Sequence, residues 1–224
     1  GDPLAAYGGI LAVNVPVDDA IAKRLVAEGT FLEVLVAPSY SESALETLRT
    51  RWNSLRILAV GEKEASSARK LDHRSVPGGL LVQDRDTMTP TPARWQHAAG
   101  PAPTAEQLDS AAFLEVVCKA CLSNAVVVGG RDGRVPRVFG VGGGQVDRLN
   151  SCRIAVAKAG ELARGGVAVS DAFFPFGDGP QVLIDAGVTM IVHPGGSKRD
   201  DETFEHCRRS GVTCMTTGTR HFRH

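Results

Sequence analysis

Residues 167–216 read VAVSDAFFPFGDGPQVLIDAGVTMIVHPGGSKRDDETFEHCRRSGVTCMT, and this stretch decides the fold class. It alternates short apolar runs with longer segments that have helical apolar spacing. The runs at 167–170, 190–193 and 213–216 predict buried strands, and segments 177–186 and 200–210 predict helices between them. Strands that alternate with helices in this way indicate an α/β fold.

The same alternation extends back to the start of the chain. A side chain suited to capping opens three of the predicted helices: Asp18, Ser41, and Thr104 with Gln107 at the capping-box position. We therefore predict an α/β protein with a three-layer arrangement, in which helices cover both faces of a mixed sheet and polar loops at the strand ends form the site. The remaining predicted helices are 18–28, 41–52, 104–123 and 150–163, and the remaining strands are 31–37, 55–60, 80–84, 125–128 and 138–141.

The segment 86–103 breaks this rhythm. It contains four prolines, Pro90, Pro92, Pro101 and Pro103, and no clear apolar periodicity. We interpret it as a long surface connection between two lobes, which places the lobes at residues 1–103 and 104–224.

Composition narrows the class of protein. The chain has 224 residues, 43% of them hydrophobic, which is enough for a sizeable core. Lys and Arg number 25 and Asp and Glu number 25, so bulk charge argues against a nucleic-acid surface. No window approaches about eighteen consecutive apolar residues, and the N-terminus lacks a basic segment followed by an apolar run. We expect no membrane span, no signal peptide and a cytoplasmic location.

The cysteines do not form a regular framework. An odd number of cysteines, in a chain that we expect inside the cell, does not predict disulfides. Cys118 and Cys121 have the spacing of a redox or zinc half-site, but their surroundings have helical apolar spacing and no second ligand pair follows. We predict that they are buried thiols on a helix.

Three short segments are candidates for a functional site: Ser123-Asn124 before an apolar strand, residues 170–176 (SDAFFPF), and residues 220–224 (RHFRH). A terminal segment usually frays, so Phe222 flanked by basic residues suggests a binding role, although a solvated basic tail remains an alternative. The phenylalanines of 170–176 could form a stacking wall for a heteroaromatic ring or plug the core.

Two glycine-containing loops leave similar alternatives open. The backbone of 140–145 (GVGGGQ) could approach a ligand closely or form a flexible turn, and it lacks the acidic residue of a dinucleotide fingerprint. The amides of 193–199 (HPGGSKR), which open a predicted helix, could cradle an anion or cap that helix.

Together these segments resemble the transformylase part of the AICAR transformylase/IMP cyclohydrolase family. The matching stretches are 123–126, 140–145, 170–176, 194–197, 220–224, 78–86 (GGLLVQDRD), and Asp2-Pro3 with Gly8-Gly9. The resemblance implies formyl transfer from 10-formyltetrahydrofolate to 5-aminoimidazole-4-carboxamide ribonucleotide in IMP biosynthesis. It also implies a cytidine-deaminase-like fold, without the deaminase zinc site. Residues 1–103 would be the remainder of a first lobe with its connection, and 104–224 a second cytidine-deaminase-like lobe.

The resemblance also assigns roles to individual residues. Asn124 would orient the amine and the formyl oxygen, Arg220 would hold the nucleotide, and Phe173 would line the ring pocket. The full set is Asn124 and His224 as catalytic residues; Asp2, Phe173, Pro175, Arg220 and Phe222 for the nucleotide substrate; Arg148 and Leu149 for the folate; and Ser123 and Asp171 near a potassium-type ion.

The chain departs from the family pattern in one respect. It contains no Lys-His dipeptide, whereas the family carries one upstream of the Asp-Pro segment and uses that His as general base. We interpret the chain as a fragment or as one half of a split enzyme, working as a homodimer with an N-terminal half that carries the Lys-His pair. The alternative is a non-catalytic module that binds nucleotide or folate, or serves assembly.

Overall fold

The computed structural model describes residues 2, 4–62 and 71–223, which fall into two compact units. The first unit is Asp2–Arg85 and the second begins at Asp86. The described residues of the first unit form a parallel three-stranded sheet, two α-helices and a hairpin. Their bounds are β1 Gly9–Ala12, α1 Asp19–Glu28, β2 Leu32–Ala37, α2 Glu42–Arg51, β3 Arg56–Ala59, β4 Leu71–Val76 and β5 Gly79–Asp84.

Local signals in the sequence set the starts of α1 and α2. The Asp18 carboxylate accepts a hydrogen bond from Ile21 N at 2.9 Å, and the Ser41 hydroxyl accepts one from Ala44 N at 3.2 Å. Both predicted N-caps are therefore confirmed. A buried cluster that includes Leu35 of β2 joins the helices to the sheet.

A mixed six-stranded sheet forms the centre of the second unit, with strand order β6-β11-β10-β9-β7-β8. β9, β10 and β11 are parallel, whereas the pairs β6–β11, β7–β8 and β7–β9 are antiparallel. The bounds are β6 Gln96–Ala99, α3 Ala105–Ala120, β7 Val126–Asp132, β8 Val135–Gly142, α4 Arg148–Ala159, β9 Val167–Ser170, α5 Asp178–Asp185, β10 Met190–His193, α6 Asp200–Ser210 and β11 Thr213–Thr216.

Helices pack on both faces of this sheet. Alternate residues of a strand point to opposite faces, so Val126 and Val128 of β7 lie in the cluster that contains residues of α4, α5 and α6. Val127 between them packs in the second cluster, with Leu114 of α3. The predicted three layers, with a mixed sheet in the middle, are confirmed for this unit.

The interpretation of 86–103 as a surface excursion between lobes is wrong. Residues 96–99 form β6, an edge strand that pairs antiparallel with β11, and Ala99 is buried. The prolines flank this strand rather than interrupt it, as an edge strand permits. Residues 86–103 accordingly belong to the second unit. Strand β4 was also missed, because its residues are almost all exposed and carry no apolar alternation.

Two glycines of β8 allow α4 to lie against the sheet. A Cβ atom on Gly140 would lie 2.1 Å from the carbonyl oxygen of Ala155, and one on Gly142 would lie 2.0 Å from that of Ser151. Neither of the open alternatives, a flexible turn or a ligand-binding backbone, describes these two positions. Their role is close packing, which brings the start of α4 beside the start of β7 and the end of β9.

None of the helices among the described residues is long and apolar enough to cross a membrane.

Candidate functional site

The three candidate segments meet at one end of the six-stranded sheet. Ser123 precedes β7, Asp171 follows β9, and the end of the described chain runs beside both. The amide of Ser123 donates to Arg223 O at 2.8 Å, and Arg223 N donates to Ser123 Oγ at 3.1 Å. The amide of His221 donates to Asp171 O at 2.9 Å. The terminal segment is therefore attached to the strand ends by backbone hydrogen bonds, and the solvated-tail alternative does not describe it.

A buried ion pair between Arg148 and Asp171 holds this region together. Arg148 Nη1 donates to Asp171 Oδ1 and, at 2.8 Å, to Ser170 Oγ. The hydroxyl of Ser123 donates to the second carboxylate oxygen, Asp171 Oδ2, at 2.5 Å. The side chains of Arg148 and Asp171 are only 5% and 0% exposed, so each charge depends on the other.

Asn124 is oriented by the same arginine. Arg148 Nη2 donates to Asn124 Oδ1 at 2.8 Å, and Asn124 Nδ2 donates to Gln145 O at 2.9 Å. The peptide bond between Ser123 and Asn124 is cis. Because an amide carries two N–H groups and two oxygen lone pairs, Asn124 retains one donor and one acceptor for a ligand. Its side chain is fixed yet still able to recognise one.

The phenylalanine-rich segment serves both of the purposes left open by the sequence. Phe174 is 1% exposed and belongs to the core. Phe173 is partly exposed, and the guanidinium of Arg220 lies over its ring at 4.9 Å. Pro175 and Phe176 are exposed. The segment therefore both plugs the core and presents an aromatic face paired with a cation.

The amides of loop 194–197 are held by the helix that follows the loop. Asp200 Oδ2, in the first turn of α6, accepts from Gly196 N at 2.7 Å and from Ser197 N at 3.2 Å. The protein's own carboxylate thus occupies these amides, which argues against a cradle for an external anion, although no side chain caps the N-terminus of α6. The neighbouring His193 is buried, and burial lowers its pKa to about 4 against the opposing charge of Asp200.

The cysteine prediction is confirmed for Cys118, whereas Cys121 is only partly buried and lies just beyond the helix. Cys118 lies in α3 and is completely buried, and Cys121 forms the C-cap of that helix. Burial raises the pKa of the Cys118 thiol well above its ordinary value, and burial also raises the pKa of Cys121.

The expectation of a cation held by Ser123 and Asp171 does not fit these residues. The Asp171 carboxylate accepts from Arg148 on one oxygen and from Ser123 on the other, so its charge is already balanced. In residues 2, 4–62 and 71–223 there is no group of three or more His, Cys, Asp or Glu side chains arranged to hold a metal ion.

The other predicted residues are placed as follows. Asp2 belongs to the first unit, where its Oδ1 accepts from Ala5 N at 3.0 Å. Leu149 is partly buried in the first turn of α4, and Phe222 is 49% exposed. His224 lies outside the described residues.

Sequence reasoning missed two acidic side chains near the terminal segment. Asp86 and Glu115 both contact His221, and Glu115 is 4% exposed. The signal in the sequence was a charge on the apolar face of a helix, since Glu115 follows Leu114 and precedes Cys118 by three residues.

A family model described as the AICARFT/IMPCHase bienzyme matches residues 1–158. The chain belongs to this family. The resemblance stated from the motifs is therefore confirmed.

Two curated relatives extend the match to the whole chain. The chain is 46% identical over its full length to the bifunctional purine biosynthesis protein PurH of Cutibacterium acnes. It is 43% identical over its full length to the protein of the same name from Myxococcus xanthus. It spans 42% and 43% of the length of these two proteins, less than half of either.

Proposed function

We propose that this chain provides formyltransferase machinery for purine biosynthesis, moving a formyl group from 10-formyltetrahydrofolate to the 5-amino group of 5-aminoimidazole-4-carboxamide ribonucleotide. The observation that carries the proposal is the convergence of Asn124, Phe173 and Arg220 on one end of the sheet, around the pair Arg148–Asp171. Family membership and the purine biosynthesis relatives support it. The proposal includes a cytidine-deaminase-like fold and a cytoplasmic location.

The chemistry of the reaction suits Asn124. An amine conjugated to an aromatic ring is a poor nucleophile, so a site must align it with the formyl carbon and stabilise the oxyanion that forms. The remaining N–H of Asn124 can donate to that oxyanion, and its remaining lone pair can accept from the amine. Arg148 fixes the amide in one orientation, so less reorganisation is needed when the substrate binds.

The nucleotide would be held on the aromatic and basic side of the site. Phe173 offers a ring face for the imidazole, and Arg220 offers paired N–H groups for the phosphate or the carboxamide. Pro175, Phe222 and His224 complete the proposed set on this side, and the family resemblance alone assigns Asp2 to the nucleotide.

The two residues expected near the folate, Arg148 and Leu149, have different proposed roles. The guanidinium of Arg148 is directed at Asp171 and Asn124, so we assign its side chain an indirect role through Asn124. Leu149, next to it and partly exposed, is the proposed contact for the folate. The geometry supports no step through a metal ion.

The proton of the amine needs a base. We assign this task to a Lys-His pair supplied outside these 224 residues, by another part of the protein or by a partner chain. We further propose a homodimer, as family resemblance implies, and sedimentation that yields only the monomer would contradict this part.

The test is formyl transfer measured with the chain alone and with a polypeptide that carries the Lys-His segment. We expect transfer only in the mixture. Transfer by the chain alone would keep the transformylase assignment but overturn the need for an external base. If the chain binds the nucleotide and the folate yet transfers nothing in either case, it is a binding module and the proposal is wrong.

A further inference from the structure

His221 is enclosed by acidic side chains although it lies in a basic terminal segment. Its ring is 4% exposed, with Nδ1 at 2.6 Å from Asp86 Oδ2 and Nε2 at 3.3 Å from Glu115 Oε1. A neutral imidazole has one N–H, and only the imidazolium has two. Since carboxylate oxygens face both ring nitrogens, the geometry fits the charged form.

The other charged groups near the His221 ring do not displace the carboxylates of Asp86 and Glu115 from its two nitrogens. Lys119 of α3 lies 3.3 Å from the other oxygen of Asp86 and also donates to Met88 O. Arg94 shares a cavity of about 50 Å³ with Glu115 and His221. Within its own segment, the guanidinium of Arg220 is directed at Phe173.

The remaining cation, Arg223, is also turned away from the ring, because its Nη1 donates to Ala120 O at 2.7 Å. Glu115 Oε2 has no hydrogen-bond partner in the described part of the chain, so donors other than His221 do not satisfy the charge of Glu115.

We propose that His221 is a positioning residue, whose imidazolium joins the terminal segment to α3 through Glu115 and to the segment after β5 through Asp86. It lies between Arg220 and Phe222, so it sets where both side chains stand. Its backbone is tied to the Arg148–Asp171 pair as well, since its amide donates to Asp171 O at 2.9 Å. The role of Arg220 in binding nucleotide rests on the proposed function, but the attachment of the segment does not.

Protonation makes this attachment dependent on pH. Burial lowers the pKa of His221, but the hydrogen bonds and charges of Glu115 and Asp86 outweigh burial and raise it above 6.5. A group whose pKa is higher in the folded state stabilises that state fully below its unfolded pKa, and this stabilisation is lost as the pH rises through the folded value. The terminal segment should therefore be held firmly below pH 6.5 and loosen above the folded pKa of His221.

Asp86 sets the lower pH limit of this attachment. Burial raises its pKa, but the hydrogen bonds from His221 and Met88 and the nearby positive charges outweigh this and lower it from 3.8. Its contribution is therefore present above pH 3.8 and is lost as the pH falls through the folded pKa.

The test combines titration of the histidine rings by NMR with hydrogen exchange of the backbone amides of His221 and Arg223. We expect His221 to titrate above 6.5 and the protection of both amides to fall as the pH rises through that value. Glu115→Gln, which keeps the shape and removes the charge, should lower the pKa of His221 and reduce the protection at neutral pH. Glu106→Gln, on an exposed residue of the same helix, should change neither quantity.

Titration of His221 at or below 6.5 in the unmodified chain would overturn the proposal, as would unchanged protection in the Glu115→Gln variant. Because Glu115 is buried, Asp86→Asn provides a second variant at a side chain that is 33% exposed. If that protein also keeps its His221 pKa and its protection, the proposal is wrong. Neither measurement needs turnover, so absence of formyl transfer would contradict the proposed function and leave this inference to be judged separately.

Discussion

The guanidinium of Arg148 and the carboxylate of Asp171 form an ion pair in the interior of the second unit, where they are 5% and 0% exposed. This pair links the start of α4 to the end of β9. Through Asn124 and Ser123 it also reaches the turn before β7 and the terminal segment. One pair of charges thus organises every segment of the candidate site.

Removing one charge of this pair should be costly. Asp171→Asn leaves Arg148 buried without a counter-charge, and breaking a buried pair in this way costs about 3–5 kcal/mol of unfolding free energy. Urea denaturation can measure the loss, followed by the fluorescence of Trp95 in a Trp52→Phe background, because Trp95 lies in the second unit.

The matched control is Asp132→Asn. Its partner is Arg137, and the two side chains are 67% and 60% exposed, so the change should be about 0–1 kcal/mol. Equal losses for the two variants would show that the buried pair has no special importance.

A second prediction concerns the packing of α4 on β8. Gly142→Ala would place a methyl group 2.0 Å from Ser151 O, so the helix must move, at a cost of about 1–3 kcal/mol or more. Gly79→Ala, at a strand glycine with nothing within 4 Å of the added atom, is the control. The measurement is the midpoint of urea denaturation, which should fall for Gly142→Ala and not for Gly79→Ala. An unchanged midpoint for Gly142→Ala would argue against the close packing.

A third prediction concerns thiol reactivity. Burial raises the pKa of Cys152 to about 12 and that of Cys118 well above its ordinary value. Since the thiolate is the reactive form, both should react with iodoacetamide at pH 8 far more slowly than the partly exposed Cys121. Mass spectrometry of labelled peptides measures the rates, and labelling in urea should abolish the difference. Similar rates in the folded protein would contradict the buried positions.

Much of the fold follows directly from apolar spacing. Strands predicted at 167–170, 190–193 and 213–216 and the helix at 200–210 coincide with β9, β10, β11 and α6. The three strands are buried, and the buried residues of α6 are four apart, so local pattern and tertiary packing agree. The strand predicted at 125–128 is longer in the structure, because β7 continues through Gly129 and Gly130 to Asp132.

The site was predictable in part. Polar residues next to apolar strands identified Ser123, Asn124 and Asp171 from the sequence. They meet because β7 and β9 are antiparallel, so the start of β7 lies beside the end of β9. The burial of Arg148 was not predictable, since an arginine at a helix start usually faces solvent. Its partner is 23 residues away in the chain, and only the packing of α4 on β8 brings the two together.

The most direct test of the central claim is the rate of formyl transfer by the Asn124→Ala variant, measured in the combination of polypeptides that is active. Loss of one group that stabilises the transition state costs about 10²–10³ in turnover. We therefore predict a fall of about 100-fold or more with a nearly unchanged urea midpoint, whereas Asn53→Ala, at an exposed turn, should retain normal turnover. A normal rate for Asn124→Ala would contradict the account.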